Sequence, residues 1–281
     1  LTQSRGLGDV YKRQDPGNPT FNTINIPKVV GGVTSHCTEV ARNLYGQVME
    51  TVVPVSSVRV AETVKLLENT FRSVNIGLVN EIALMCSAMD IDVWEVIEGA
   101  STKPFGFMPF YPGPGLGGHC IPIDPFYLSW KAKQAGSEAR FIDLAGQVNG
   151  FMPRHVVKLV TEGLNRQRKA VNGSRALVVG VAYKPGIDDM RESPALDIIE
   201  MLAERGAETS WYDPHVPDLP AGIESRKVAE WTADALGDFD VAVIVTPHPD
   251  VDHDLRPLGF DSVRNRPEKA GHATHAKRLP C

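Results

Sequence analysis

The sequence predicts an α/β protein that has parallel sheets at both ends and a helical middle. Three observations support this fold class. Short apolar runs flank a short helical pattern near the start, one long helical pattern spans Arg59 to Ala88, and strand and helix patterns alternate after residue 173. Alternating strands and helices are typical of a parallel sheet covered by helices. We expect three domains, comprising residues 1–57, 58–172 and 173–281.

Composition and charge exclude several classes of protein. The chain has 281 residues, of which 42% are apolar and 22% charged, values typical of a globular protein. A net charge of -5 and the lack of a basic run interleaved with aromatic residues argue against a nucleic-acid binder. No run of about 18 apolar residues and no N-terminal signal pattern predict a membrane span or secretion, so we expect a cytoplasmic protein. The four cysteines lack metal-ligand spacing, so we expect reduced thiols and no metal.

The first segment predicts a strand, a helix and a second strand. The apolar run Ile26–Gly32 ends in glycines, as a strand leading into a turn does. A helix is predicted over Ser35–Tyr45, with Thr34 or Ser35 as its N-cap, and a strand over Val52–Val55. We expect this unit to be the last part of a domain whose beginning is absent, and residues 1–14 to be foreign sequence.

The long helical pattern predicts one buried helix. Its apolar residues recur every three or four positions, at Val64, Leu67, Phe71, Val74, Leu78, Ile82 and Met85. A second set, Lys65, Asn69 and Arg72, places polar groups on one face of this largely apolar helix. Periodicity alone leaves two interpretations of these polar groups, a solvated stripe or part of a site.

Helices and one long loop follow in the middle of the chain. A helix over Asp92–Gly99 is predicted to end at its glycine. The loop Lys103–Asp124 is rich in Phe, Tyr, Pro and Gly, and its unusual length indicates a function. Further helices are predicted over Ile123–Ala135 and Ala139–Leu164, the second interrupted near Gly150–Pro153.

The last segment predicts a Rossmann-like domain. Its strands are expected over Arg175–Ala182, Thr209–Tyr212 and Val241–Thr246, and its helices over Leu196–Glu204 and Val228–Leu236. Such sheets bind ligands beyond the carboxyl ends of their strands. The residues that follow these strand ends are Lys184, Arg191, Asp213 and His248.

The run Gly117–Pro125, GGHCIPIDP, offers the candidate nucleophile Cys120 four residues before a carboxylate, Asp124. A thiolate on a loop whose glycines permit close approach suits covalent chemistry on a carbonyl. Each residue also has an ordinary interpretation. Cys120 could be a structural thiol, and Asp124 a helix N-cap. Lys184 and Arg191 could be surface charges, and the histidines could be ordinary packed or solvated residues.

Four motifs in order resemble one family, the nucleotide-sugar 6-dehydrogenases, which include UDP-glucose and UDP-N-acetylglucosamine dehydrogenases. The motifs are DPGN (15–18), AETVKLLENTFR with NEIA (61–83), PGPGLGGHCIPIDP (112–125) and VAYKPGIDDMRESPAL (181–196). The resemblance runs from about Asp15 to Leu255, and GGHCIPIDP is more similar to the branch acting on UDP-N-acetylglucosamine or a related amino sugar. It implies an N-terminal Rossmann domain, a long central helix and a UDP-sugar-binding Rossmann-like domain.

The resemblance also implies a reaction and residue roles. Family members oxidise the C6 hydroxyl of a UDP-sugar to an acid with two NAD, through a cysteine thiohemiacetal and thioester, for polysaccharide biosynthesis. The match makes Cys120 the nucleophile, Lys65 and Asn69 the groups beside the C6 oxygen, and Asp124 the residue that positions water. Arg191 is matched to cofactor binding, and the substrate-binding positions are Phe110, Tyr111, Gly115, Gly117, Gly118 and Lys184. A homodimer through the long helix is implied as well.

Departures from the family pattern lead to two further expectations. No glycine-rich dinucleotide fingerprint stands between a strand and a helix, so we expect residues 1–57 to be a remnant of the NAD-binding domain. Residues 256–281 fit the family poorly and are doubtful. We therefore expect almost no NADH formation from the chain as given. The alternative function is a non-catalytic fragment that binds a sugar nucleotide or dimerises.

Overall fold

A computed structural model of the chain describes residues 20–253 and the backbone of residues 261–263. The predictions for residues 1–14, for DPGN at 15–18 and for most of 256–281 lie outside the described residues. The first described elements are strand β1 (Lys28–Val30), helix α1 (Ser35–Tyr45) and strand β2 (Val52–Pro54). The two strands pair in parallel, and the Thr34 side chain caps α1 by accepting the N–H of Cys37. The predicted strand–helix–strand unit is therefore present.

Four helices form the middle of the chain: α2 (Val58–Ala88), α3 (Val93–Ser101), α4 (Asp124–Gln134) and α5 (Arg140–Arg166). α3 continues past Gly99, which was its expected end. α5 is continuous, so the predicted interruption near Gly150–Pro153 is wrong. Pro153 removes only one helical donor, and its buried ring lies in a helix that packs against α2, α4 and α6. Tertiary packing offsets the local cost of a proline inside a helix.

The buried face of α2 differs from the predicted one. Small and polar residues are buried there: Ala61, Asn69, Thr70, Ser73, Gly77, Asn80 and Cys86. A Cβ at Gly77 would lie 3.1 Å from the Ala145 main chain, so α2 and α5 approach too closely for a larger residue. The expected core positions Leu67, Phe71, Leu78 and Met85 are instead 47–61% exposed.

The last part of the chain is a doubly wound sheet. Its strands are β3 (Arg175–Val179), β4 (Glu208–Tyr212), β5 (Arg226–Lys227), β6 (Val241–Ile244) and β7 (Asp261–Val263). All neighbours pair in parallel in the order β5-β4-β3-β6-β7, and helices α6 (Pro194–Glu204) and α7 (Ala233–Leu236) belong to the same domain. The strand order reverses between β3 and β6, and such switch points form ligand-binding crevices.

Successive side chains of β3 point to opposite faces of the sheet, so the strand contributes to two hydrophobic cores. Ala176 and Val178 face the cluster formed with α5 and α6, and Leu177 and Val179 face the cluster that includes α7. The predicted helix over 228–236 is wrong in its first half, because β5 pairs with β4 and the N–H of Val228 donates to Trp211. Thr232 then caps the short α7. Within the described part of the chain, no helix is both long and apolar enough to cross a membrane.

Candidate active site

The segment between α3 and α4 carries the candidate nucleophile, and its glycines are required by close contacts. Gly115 and Gly118 adopt φ values of 144° and 90°, which disfavour side chains. A Cβ at Gly117 or Gly118 would lie 2.5 or 2.9 Å from Tyr183. The N–H of Gly118 also donates to the carbonyl of Arg191 at 2.8 Å. The loop is therefore seated directly on the C-terminal domain.

Cys120 is half-buried and free, so the residue does not belong to the closed core. Its Sγ lies 3.9 Å from Nδ1 of His119. Its carbonyl accepts the N–H groups of Ile123 and Asp124 at 3.2 and 2.8 Å, which ties the cysteine to the start of α4. The alternative of a sealed structural thiol therefore does not fit this geometry.

Three predicted residues form one hydrogen-bonded chain. The Lys65 ammonium donates to Asn69 Oδ1 at 3.3 Å, and Asn69 Nδ2 donates to Asp124 Oδ2. Asn69 is only 8% exposed, so this part of the polar face of α2 is not a solvated stripe, whereas Arg72 is exposed. Asp124 is the first residue of α4 and makes no capping bond, so the N-cap alternative is wrong.

A buried amide network supports the same loop and was not predicted. Asn80 is fully buried, accepts the N–H of Gly113 at 2.9 Å, and donates to Asn149 Oδ1 at 2.9 Å. Asn149 Nδ2 then donates to the Ser73 carbonyl at 3.0 Å. The only signal in the sequence is an asparagine inside each of two apolar helical patterns, which does not identify a partner 69 residues away.

The two aromatic residues predicted to bind substrate, Phe110 and Tyr111, both pack against other aromatic side chains of the chain. Phe110 meets Phe71 edge-on with ring centroids 5.7 Å apart, and Tyr111 stacks on Trp94 at 5.7 Å. Tyr111 packs against the small core that contains Cys86. These contacts fix the middle of the loop on α2 and α3. The substrate role of both residues stays a prediction.

Arg191 and Lys184 lie on the segment that follows β3. The Arg191 guanidinium makes paired hydrogen bonds to Asp189, the shortest at 2.6 Å. This contact raises the pKa of Arg191 and lowers that of Asp189. The Arg191 side chain is still 63% exposed, and Lys184 is half-buried. Both cations therefore lie in the segment that leaves the carboxyl end of β3, one of the two strands at the switch point.

A second unpredicted network joins three strand ends. The Asp213 side chain is fully buried, and its Oδ2 accepts N–H groups of Val181 and Ala182 at 2.8 and 3.0 Å. His248 Nδ1 accepts the N–H of Gly186 at 3.1 Å, so its Nε2–H donates to Asp213 at 3.0 Å. Burial raises the pKa of Asp213, but the hydrogen bonds from His248 and the backbone outweigh it and lower the pKa to about 2.

The same histidine belongs to a cluster with metal-ligand side chains. Ligand atoms of His215, His248 and Asp250 lie within 4.8 Å of one another. Both ring nitrogens of His248 already make hydrogen bonds, so a metal ion would have to displace one of them. The cluster is better explained as part of the network that holds the strand ends together.

A cavity of about 500 Å³ lies next to the loop. Its walls come from α2, α4, α5, the start of α6 and loop residues Gly115, Leu116 and Pro122, but Cys120 is not among them. Three acidic residues, Glu192, Asp197 and Glu200, also line it. Burial, together with the charge of Glu192, raises the pKa of Asp197.

Family models match both halves of this site. Residues 59–150 match the central domain of the UDP-glucose/GDP-mannose dehydrogenase family, and residues 177–265 match the UDP binding domain of that family. The chain belongs to the UDP-glucose/GDP-mannose dehydrogenase family. The match extends to residue 265 and includes β7, so the family likeness does not end at residue 255 as expected. The domain boundaries themselves stay predictions.

Individual relatives agree with this assignment. The chain is 34% identical over 236 residues to a UDP-N-acetyl-D-mannosamine dehydrogenase of Campylobacter jejuni, covering 83% of this chain and 56% of that protein. It is 32% identical over 252 residues to an NDP-N-acetyl-D-galactosaminuronic acid dehydrogenase of Ralstonia nicotianae, covering 89% and 56%. A UDP-glucose dehydrogenase structure from Pyrobaculum islandicum superposes with a TM-score of 0.75 at 27% identity, covering 85% and 55%. The chain thus spans about half the length of the curated relatives it matches.

Proposed function

We propose that the chain supplies the substrate-binding part and the nucleophile of an NAD-dependent dehydrogenase that oxidises C6 of a UDP-N-acetylhexosamine. One observation carries this proposal: Lys65, Asn69 and Asp124 form a hydrogen-bonded chain that reaches the helix start tied to Cys120. An amine, an amide and a thiol so arranged suit a reaction in which a carbonyl oxygen gains negative charge. Both matched relatives named above for an N-acetylated sugar support that substrate class.

Each residue has a defined task in this proposal. The sulfur of Cys120 adds to the C6 aldehyde carbon and forms a thiohemiacetal, whose oxidation leaves a thioester that water hydrolyses. Lys65 and Asn69 stabilise the charge on the C6 oxygen, and Asp124 orients the water. Lys184 pairs with the pyrophosphate, since a cation at the end of a parallel strand suits an anion.

NAD supplies the oxidising power by accepting the two hydrides when bound. The described residues fit part of such a site. β1, α1 and β2 form the parallel strand–helix–strand unit of which dinucleotide-binding sheets are built, and the exposed Arg191 can meet a phosphate. NAD binding at a site completed by a dinucleotide-binding domain is part of the proposal. A cytoplasmic location is part of it as well.

A homodimer through α2 is the second part of the proposal. Val64, Phe71, Leu78 and Met85 are spaced by seven residues, and Val60, Leu67 and Val74 form a second such row. Two interleaved apolar rows with this period form the seam of a coiled coil. Five of these seven side chains are at least 40% exposed in the single chain. A second copy of α2 would cover them, and this seam also favours the alternative of a non-catalytic, dimerising chain.

Turnover measurements separate the enzyme from the non-catalytic alternative. NADH formation is followed with UDP-N-acetylglucosamine, UDP-N-acetylmannosamine and UDP-glucose. The proteins compared are the 281-residue chain and a version extended by a relative's dinucleotide-binding domain. We expect almost no NADH from the chain and two NADH per amino sugar from the extended protein. Cys120→Ser should stop the second oxidation, and full acid production by that variant would remove Cys120 from the mechanism.

Sedimentation tests the dimer separately. Leu78→Asp places a charge in the seam and should convert a dimer to a monomer, because burying an unpaired charge is costly. Leu44→Asp is the matched control, since Leu44 is 49% exposed on α1 and lies outside the seam. A wild-type chain that sediments as a monomer at micromolar concentration would contradict the dimer.

A further inference from the structure

His119 stands directly before Cys120, and its ring has no part in the catalytic roles assigned to Lys65, Asn69 and Asp124. The side chain is exposed, yet Nδ1 lies 3.9 Å from Sγ, within reach of a hydrogen bond to sulfur. An imidazole in contact with a thiol is the usual arrangement for activating a cysteine nucleophile. The contact is local in sequence, so its significance depends on how firmly the backbone holds it.

The backbone is fixed on both sides of this pair. Before it, Gly118 donates its N–H to Arg191 and packs against the Tyr183 ring. After it, the Cys120 carbonyl accepts two N–H groups from the start of α4. His119 and Cys120 therefore lie between two anchored points, one on each domain, and their separation does not depend on a free loop.

The charged groups near the pair are consistent with proton transfer. The pKa of Asp189 is lowered mainly by its hydrogen bond with Arg191, and the charge of His119 adds to the effect. Cys120 is in turn among the groups that raise the pKa of Arg191. Both contributions are minor, but they place Asp189 and Arg191 within electrostatic range of the imidazole and the sulfur. Asp124 accepts a hydrogen bond from Asn69 on α2, so Asp124 does not fill the role of proton acceptor for Cys120.

We propose that His119 is the proton acceptor for Cys120, an inference that rests on the proposed function. As sulfur adds to the C6 aldehyde carbon, its proton moves to Nδ1 and then to the former carbonyl oxygen, so the addition needs no other reactant. In the hydrolysis, water oxygen attacks the thioester carbon and its proton moves to Nδ1. The carbon–sulfur bond breaks, and the thiolate and the acid are released.

The chain contains a matched control pair, His36 and Cys37 in α1. They have the same order and spacing, but the sulfur of Cys37 accepts the hydroxyl of Thr34 at 3.2 Å. This hydrogen bond is the largest cause that lowers the pKa of Cys37. The activation of Cys37 is therefore independent of the histidine beside it.

The test is the alkylation rate of each cysteine in the full chain at pH 7, with iodoacetamide as the probe and peptide mass spectrometry as the readout. We expect His119→Ala to slow alkylation of Cys120 about tenfold, because the variant lacks the imidazole that accepts the thiol proton as the sulfur attacks. The alkylation rate of Cys120 in His119→Asn, which keeps a polar group near the sulfur, should fall between those of the wild type and His119→Ala. His36→Ala should change neither cysteine by more than about twofold.

Each outcome decides between the proposals. An unchanged Cys120 rate in both His119 variants would overturn the inference, and so would an equal fall at Cys37, which would report general unfolding. If alkylation of Cys120 slows as expected while the extended protein oxidises no UDP-sugar, the proposed function fails and the His119–Cys120 pair stands. If turnover is intact in His119→Ala, the function stands and the inference fails.

Discussion

The Asp213 network gives the sharpest stability prediction, for the substitution Asp213→Asn. The carboxylate accepts five hydrogen bonds, from Val181, Ala182, His215 and Val216 N–H groups and from the His248 ring, at 2.8–3.2 Å. An asparagine has one acceptor oxygen, and its NH₂ group would face donors. We expect the free energy of unfolding to fall by about 2–4 kcal/mol, since the lost bonds are charge-assisted and the freed donors are buried.

The pH dependence of stability provides an independent check. The pKa of Asp213 is about 2 in the folded chain, against an ordinary value of 3.8. A carboxyl with a depressed folded pKa stabilises the fold above its unfolded pKa, and this stabilisation is lost as the pH falls from about 4 to about 2. The difference corresponds to about 2 kcal/mol. The wild type should lose this stability in that window, and Asp213→Asn should lose correspondingly less.

Urea unfolding followed by tryptophan fluorescence measures both effects. Trp211 lies two residues before Asp213 and is 2% exposed, so it reports on this region. Asp218→Asn is the matched control, because Asp218 is exposed and should change stability by less than about 0.5 kcal/mol. A variant Asp213→Asn as stable as Asp218→Asn at pH 7 would refute the assigned role of the network.

Two further predictions concern the strand ends and the loop. Gly180→Ala should lower the free energy of unfolding by about 3 kcal/mol or more, because its Cβ would lie 1.9 Å from a main-chain oxygen. Gly173 has a similar φ but open space around it, so Gly173→Ala should lower the free energy of unfolding by only about 1 kcal/mol. Thermal unfolding of both variants measures the difference. Asn80→Ala should lower the free energy of unfolding by about 2–3 kcal/mol and loosen Gly113. Asn75→Ala should change little, because the half-buried Asn75 side chain bonds only to the Phe71 carbonyl of its own helix. Equal effects of the two substitutions in hydrogen exchange and unfolding would contradict the network.

Local signals in the sequence were sufficient for several elements. The bounds of α1 were predicted to the residue, with its N-cap Thr34 as one of two candidates, and so was the end of α6 at Glu204. These features depend on interactions within a few residues, which a single sequence displays directly. The predicted order of strands and helices also identified the parallel sheet, because only a crossover connection joins parallel neighbours.

The errors arise where distant contacts decide the outcome. Pro153 predicts a break, but the helix continues because its packing partners on three other helices hold it. The large apolar residues of α2 predict a buried face, but Gly77 and its small neighbours let α5 approach on the other side. Similarly, the spacing of Lys65 and Asn69 left a solvated stripe and a site equally open. The distinction came from Asp124, 55 residues from Asn69 in the chain.

The site depends on helix α5 and the glycine loop to join two domains. The first half of α5 packs against α2 and α4, which carry Lys65, Asn69 and Asp124, and its second half packs against α6 and β6. The loop makes the second connection, since Gly117 and Gly118 rest on Tyr183 and Arg191. A movement of the C-terminal domain would therefore displace Cys120 relative to Lys65.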